Sequence, residues 1–313
     1  VSSKTSSAKL PENTKWNFNF VKASKYFYMF SIIVTLAGII SLSVFGLNYG
    51  VDFRSGSNVD ISVSKVVSKE EVAKVVSDAK LDQEANITAG STRINIRFPE
   101  VLTDTQVQTL QTTFNSQIDP KASYEVNTVD TEMAKELERN ALLAIAVASV
   151  GIVIYVTIRF EWRFALSAIV ALLHDAFLVI SVFSILRLEV NLTFIVAILT
   201  IIGFSINDTI VIFDRIRENL RFAKKQTHED LEDVVNKSVS QTMTRSLGTV
   251  FTVFIAAFAL LVLGSESIRM FSLAMVIGLL FGTYSSIFIA SPLWLALRSK
   301  KKPSAPKPAK ATN

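Results

Sequence analysis

The sequence predicts a membrane-embedded bundle of six α-helices with one small α/β domain inserted between the first and second helices. Three observations carry this. Half of the 313 residues are hydrophobic, and they gather into long runs instead of spreading at the periodicity of a soluble core. Six of those runs approach the roughly 20 residues needed to cross a bilayer. The polar stretch 48–140 stands between the first two runs and shows both strand and helix patterning.

In chain order, residues 1–25 form a Lys- and Ser-rich tail carrying Lys4, Lys9, Lys15, Lys22 and Lys25. The first span, 26–47, has an apolar run from Phe27 to Leu47 that is too long for a signal-peptide core. No small-residue cleavage site follows it, so it reads as a retained anchor. Within 48–140, alternation marks strands at Val59, Ile61 and Val63 and at Ile94, Ile96 and Phe98, and Tyr124–Val129 reads as a third. Ser68 with Glu71 precedes Val72, Val75, Val76 and Ala79, and Thr103 with Gln106 precedes Val107, Leu110 and Phe114. Both pairs have capping-box spacing before a helical stripe. The resulting β-α-β-α-β order resembles a ferredoxin-like sandwich.

Residues 141–297 hold the remaining spans, at Ala141–Ile158, Phe164–Leu186, Leu192–Phe213, Leu247–Leu263 and Met270–Trp294. A loop, 214–245, joins the fourth and fifth. In it Leu231, Val234, Val235 and Val239 recur at helical spacing after Thr227, which predicts a short amphipathic helix along the inner surface. Residues 298–313 form a basic tail.

Lys and Arg set the orientation. The first tail holds five, the turn Arg159–Arg163 two, the segment Asp214–Arg245 seven and the last tail six, whereas the two short loops on the other side have only Arg187 and Arg269. Both termini are therefore predicted to be cytoplasmic and the α/β domain extracytoplasmic. This topology accounts for the formal net charge of +5, so nucleic acid is not an expected partner. The absence of cysteine excludes disulfides and thiolate metal sites, and two histidines cannot build a His-rich metal centre. No GxxxxGK[ST] loop occurs, and nothing resembles a nucleophile with its base. The expectation is a protein that is no enzyme, holds no metal or cofactor, and draws energy from an ion gradient or a partner.

Intramembrane polar residues are the functional candidates. Asn207 and Asp208 lie inside the fourth span, where a carboxylate costs about 2.5–3.5 kcal/mol on insertion scales and therefore tends to mark an ion pathway. Ser205 and Thr209 flank Asp208 and are expected to hydrogen-bond it. Arg245 opens the fifth span at a depth matching Asp208, so the two can pair, although a positive-inside anchor also explains it. His174 and Asp175 sit near mid-membrane in the third span. As neighbours they diverge around the helix, and an interhelical hydrogen bond and proton handling are both open for them. Gly278 and Gly282 form a GxxxG that predicts close helix packing.

The motifs resemble one family in combination. IGFSINDTIVIFDRIREN in the fourth span is similar to the signature of the SecF family of bacterial protein-export membrane subunits, within the resistance-nodulation-division superfamily. RFEWRFALSAIVALLHD, SQTMTRSLGT, GTYSSIFIASP and Tyr49-Gly50-Val51-Asp52-Phe53 are similar to its other marks. Ser55 departs from it, standing where the family commonly places glycine. The resemblance implies a six-span half that pairs with a homologous half, SecD, in the cytoplasmic membrane. It implies help to the SecYEG channel in drawing exported polypeptide outward at the expense of the proton gradient. Asp208 matches the family's fourth-span acid and Arg245 the arginine opening its fifth span. Two alternatives stay open, a non-transporting scaffold subunit and half of a small-molecule proton antiporter of the same superfamily.

Overall fold

The structure, a computed structural model, describes Trp16 and residues 18–81, 85–90, 92–222 and 227–299. Most of the two predicted tails, and Lys224 and Lys225 of the predicted loop, lie outside the described residues. Among the described residues six helices are long and apolar enough to cross a membrane.

Helix α1 (Phe20–Phe45) starts before its apolar run, because the Asn19 side chain accepts a 2.8 Å hydrogen bond from the Lys22 amide and so caps the first turn. A short strand β1 (Asn48–Tyr49) and a single helical turn α2 (Val51–Arg54) lead into the soluble domain. There β2 (Gly56–Ser62), α3 (Lys69–Asp78), β3 (Asn86–Ala89), β4 (Arg93–Phe98), α4 (Asp104–Gln117) and β5 (Ser123–Val129) follow in order. Both capping boxes form, Ser68 with Glu71 on α3 and Thr103 with Gln106 on α4. The sheet has four antiparallel strands in the order β3-β4-β2-β5, with Val59 opposite both Ile96 and Val126. The three-strand reading is thus corrected to β-α-β-β-α-β. The missed strand β3 is a short edge strand that turns only Ile87 fully into the core, so its alternation is too brief to register.

Alternation gives the sheet two unlike faces. Val59, Ile61, Ile94, Ile96 and Phe98 pack under Val72, Val75 and Val76 of α3 and Leu110 and Phe114 of α4. The opposite face carries Asn58, Asp60, Asn95 and Arg97 and is turned towards the bundle. Below α4, Asp119 accepts hydrogen bonds from the Ser64 hydroxyl (2.6 Å), the Ser64 amide (2.7 Å) and the Lys121 amide (3.0 Å), and these hold its carboxyl down at about 2.

The bundle continues with α5 (Thr131–Arg159), α6 (Trp162–Ile185), a two-residue strand β6 (Glu189–Val190), α7 (Leu192–Leu220), α8 (His228–Leu263) and α9 (Glu266–Ser285). Its last helix passes through a π-helical turn at Ser286–Ala290 into α10 (Ser291–Ser299). Pro292 has no N–H to continue the ladder, the Ser291 hydroxyl returns to the Ser286 carbonyl (2.9 Å), and Tyr28 of α1 donates to the Ile289 carbonyl (2.9 Å). Half or more of the apolar window of α6, α7 and the last helix is buried by this chain alone, against 17% for α1 and 11% each for α5 and α8. The first three are therefore the inner helices.

Helix α8 corrects another expectation. The stripe Leu231, Val234, Val235 and Val239 is continuous with the fifth span instead of forming a separate surface helix, and all four side chains are buried. No proline separates the two parts, and the N-terminus of α1 covers the stripe's side: the Val21 amide donates to Asn236 (3.1 Å) and Asn19 to Glu232 (2.9 Å). The segment 214–245 is accordingly helical through Leu220 and again from His228.

Candidate functional site

The polar centre of the bundle is built where α6, α7 and α9 pack closely, with α1 along one side. Small residues permit the approach. A Cβ added at Gly278 of α9 would overlap the Ile201 side chain of α7, and one at Gly282 would lie 3.3 Å from Ser205 Cβ. On the other flank Gly38 of α1 rests on Ser181 of α6, and the Ser41 and Ser184 hydroxyls share a 2.8 Å hydrogen bond.

Asp175 of α6 is fully buried in this centre, and both of its oxygens are engaged. Oδ2 accepts from the hydroxyls of Ser205 (2.5 Å) and Ser285 (2.6 Å), and Oδ1 shares a 2.9 Å hydrogen bond with Nδ1 of His174. The two neighbours are thus bonded to each other, and the far side of the imidazole reaches further groups. Its Nε2 meets the Ser31 hydroxyl at 2.8 Å and the Tyr284 hydroxyl at 3.4 Å, and those two hydroxyls lie 3.1 Å apart. His174 and Asp175 thus tie α1, α6, α7 and α9 together.

Asp208 of α7 is 7% exposed but is treated differently. Among the described residues its Oδ2 makes no well-formed hydrogen bond, and the buried Ser246 hydroxyl of α8, equally without one, stands beside it as the interacting donor. Such orphaned buried atoms are uncommon in native structures. Asp208 borders a crevice of about 20 Å³ between α7, α8 and α9, the scale of one water molecule, which Asn207, Thr249 and Thr283 also line. Arg245 lies within electrostatic reach of Asp208 without a direct ion pair between them, and its side chain, like that of Asn207, is exposed on the outer surface of α7 and α8.

The flanking hydroxyls do not serve Asp208, which corrects the expectation for Ser205 and Thr209. Ser205 donates to Asp175, and Thr209 shares a 2.8 Å hydrogen bond with Ser286. Each points to a neighbouring helix that sequence spacing on α7 alone does not reveal. Together Ser205, Ser285, Ser286 and Thr209 make a strip of hydroxyls between the two acids. Ser31, Tyr284, Ser285 and Ser286 are the site residues missed in the sequence. The signal for the last three is the dense run of hydroxyls in GTYSSIFIASP, and Ser31 stands in the first span outside any such run.

Known proteins give this arrangement a context. Residues 107–300 match the family described as protein export membrane protein SecD/SecF, C-terminal, and residues 40–65 match the SecD/SecF GG motif. The chain is 45% identical to the protein translocase subunit SecF of Alicyclobacillus acidocaldarius over 302 residues, covering 95% of this chain and 98% of the relative. It is 47% identical to the protein translocase subunit SecDF of Bacillus subtilis, covering 93% of this chain and 40% of that longer protein. The crystal structure of SecDF from Thermus thermophilus superposes with a TM-score of 0.82 at 32% identity, over 93% of this chain and 40% of that one. The chain thus spans about two fifths of the SecDF proteins it matches, with the whole bundle and the soluble domain inside the matched part. A multi-pass membrane protein, this chain belongs to the SecD/SecF family of protein-export membrane proteins.

Proposed function

We propose that the chain is the SecF half of a proton-driven SecD–SecF pair that promotes polypeptide translocation through the SecYEG channel of the bacterial cytoplasmic membrane. The observation that carries this is Asp208, a carboxyl group buried within the span with one oxygen lacking a well-formed hydrogen bond, beside the Ser246 hydroxyl and a water-sized crevice. A saturated acid such as Asp175 already has its hydrogen bonds, whereas Asp208 has capacity left for a proton, a water or an arginine. Arg245 supplies a charge within electrostatic reach, and Asn207 lines the same crevice. Burial and a nearby cation act on a carboxyl group in opposite senses, which is the condition for a group that changes protonation as a path opens. His174 and Asp175 serve in this reading as the hub that carries a change at α7 to α1 and α6.

Both termini face the cytoplasm, and the ferredoxin-like domain stands on the outer face, where exported polypeptide emerges. The exposed polar groups of Asn207 and Arg245 on a membrane-spanning surface support a second half seated against α7 and α8. One charge crossing 100 mV is worth about 2.3 kcal/mol, enough to bias a two-state bundle.

The test is gradient-dependent polypeptide release from vesicles containing this chain, a SecD partner and the channel. Asp208→Asn is expected to assemble normally and lose the acceleration by the proton gradient. Arg245→Lys is expected to retain part of it, because a point charge replaces a planar guanidinium. Full gradient dependence in Asp208→Asn would remove this residue from the mechanism and favour a scaffold role.

A further inference from the structure

The hydrogen bonds of His174 and Asp175 form one unbroken chain from a sealed end to a more open one. Asp175 has no exposed surface, whereas the His174 side chain is 13% exposed. Beyond it Tyr284 of α9 is half-buried, and its ring lines a recess of about 280 Å³ together with Tyr26, Phe27 and Phe30 of α1. At the sealed end Asp175 accepts from Ser205 and Ser285 at 2.5 and 2.6 Å, the lengths of charge-assisted bonds to a carboxylate. Both of its oxygens are engaged, so a proton reaches Asp175 only along a bond it already makes. Among the described residues it pairs with no lysine or arginine, and the titratable groups that act electrostatically with it are His174 and Tyr284. The other groups facing the pair are neutral hydroxyls, Ser31 from α1, Ser205 from α7 and Ser285 from α9.

We infer that His174 is a second proton-binding site of the bundle, loaded at Nε2 and balanced by Asp175. Unloaded, the carboxylate fixes the tautomer. Nδ1 donates to Oδ1 of Asp175, and the bare Nε2 accepts from the Ser31 hydroxyl, to which the Tyr284 hydroxyl donates in turn. Loading reverses this chain. The Tyr284 hydroxyl takes a proton from the side of the recess and passes its own to Ser31, Ser31 passes its own to Nε2, and both hydroxyls end neutral. One proton has been added, and the pair has gone from one net negative charge to none. The proton between Nδ1 and Oδ1 stays within the pair, so the count is the same on either atom. An ionised carboxylate without a cation is costly in a bundle interior, and an imidazolium 2.9 Å away supplies that cation. Ser205 donates to Asp175 and also lines the crevice of Asp208, so one hydroxyl is common to the two proton sites. The site deepens the proton-driven reading given above without depending on it.

The chain has two histidines, and His228 is exposed at the start of α8, so His228→Gln leaves His174 as the sole imidazole. Nitrogen-15 NMR of the histidine-labelled full chain with that substitution, in nanodiscs without a gradient, reads each ring nitrogen directly. At about pH 9 Nδ1 is expected to carry a proton and Nε2 none, and Nε2 is expected to gain one in a single transition as the pH falls to about 5. Asp175→Asn, which cannot balance an imidazolium, should move the midpoint down by about one unit or more. Tyr284→Phe should keep the transition and slow the exchange of the Nε2 proton with water. An Nε2 whose protonation is constant across that range overturns the site, and this titration decides even where the Asp175 variant does not fold. An unshifted or raised midpoint in folded Asp175→Asn overturns the balancing role, and unslowed exchange in Tyr284→Phe overturns the route. Failure here leaves the role of Asp208 standing, and full gradient dependence of export in Asp208→Asn leaves the His174 site standing.

Discussion

Ser55 shows how much one residue can be asked to bear. Its backbone sits at φ 61° and ψ 163°, a region nearly reserved for glycine, because α2 ends at Arg54 and β2 begins at Gly56 with Ser55 alone to make the turn. Holding a Cβ in that conformation costs about 1–3 kcal/mol. Ser55→Gly is therefore expected to stabilise the chain by about 1 kcal/mol or more, read as a higher Tm of the purified protein, and an unchanged or lower Tm would show the turn to be unstrained. The departure from the family's usual glycine was legible in the sequence; the strain it creates was not, since φ is a property of the fold around it. Asp208 followed the same pattern. Its insertion cost marked it in advance, yet its partners were misread, because position on α7 does not say that Ser205 turns to Asp175 and Thr209 to Ser286.

At the scale of elements, the inner helices meet through small residues, and the geometry separates two glycines of the same type. Gly278 lies against Ile201, whereas nothing stands within 4 Å of a Cβ at Gly151 on α5. Gly278→Leu is expected to push α9 off α7 and lower stability by about 1–3 kcal/mol or more, while Gly151→Leu is tolerated. Thermal unfolding of the two variants in the same detergent checks this, and equal melting temperatures would contradict the packing. The GxxxG spacing was visible beforehand, as were both capping boxes, because these are local patterns read within one helix. The continuity of α8 and the edge strand β3 were not. One depends on what α1 covers, and the other on pairing with β4. The ion pair of Arg97 in β4 with Glu189 in β6 was out of reach for a similar reason, since it joins residues brought together only by docking of the domain on the bundle.

At the scale of the molecule, three helices bury each other and three present mostly outward surface, and Asn207 of α7 and Arg245 of α8 are both exposed near the crevice of Asp208. Lipid is a poor neighbour for an exposed guanidinium and amide, and in the proposed function a second bundle half supplies their polar partners. In that proposal proton use and partner use are one requirement, the crevice being completed by the seated second half. The most direct measurement is polypeptide release from channel-containing vesicles at fixed gradient, with this chain alone and with a SecD partner at matched density. The account predicts a gradient-dependent release that needs both halves and disappears with Asp208→Asn in the preparation that holds both. Equal gradient-driven release from vesicles holding this chain without the partner would contradict it.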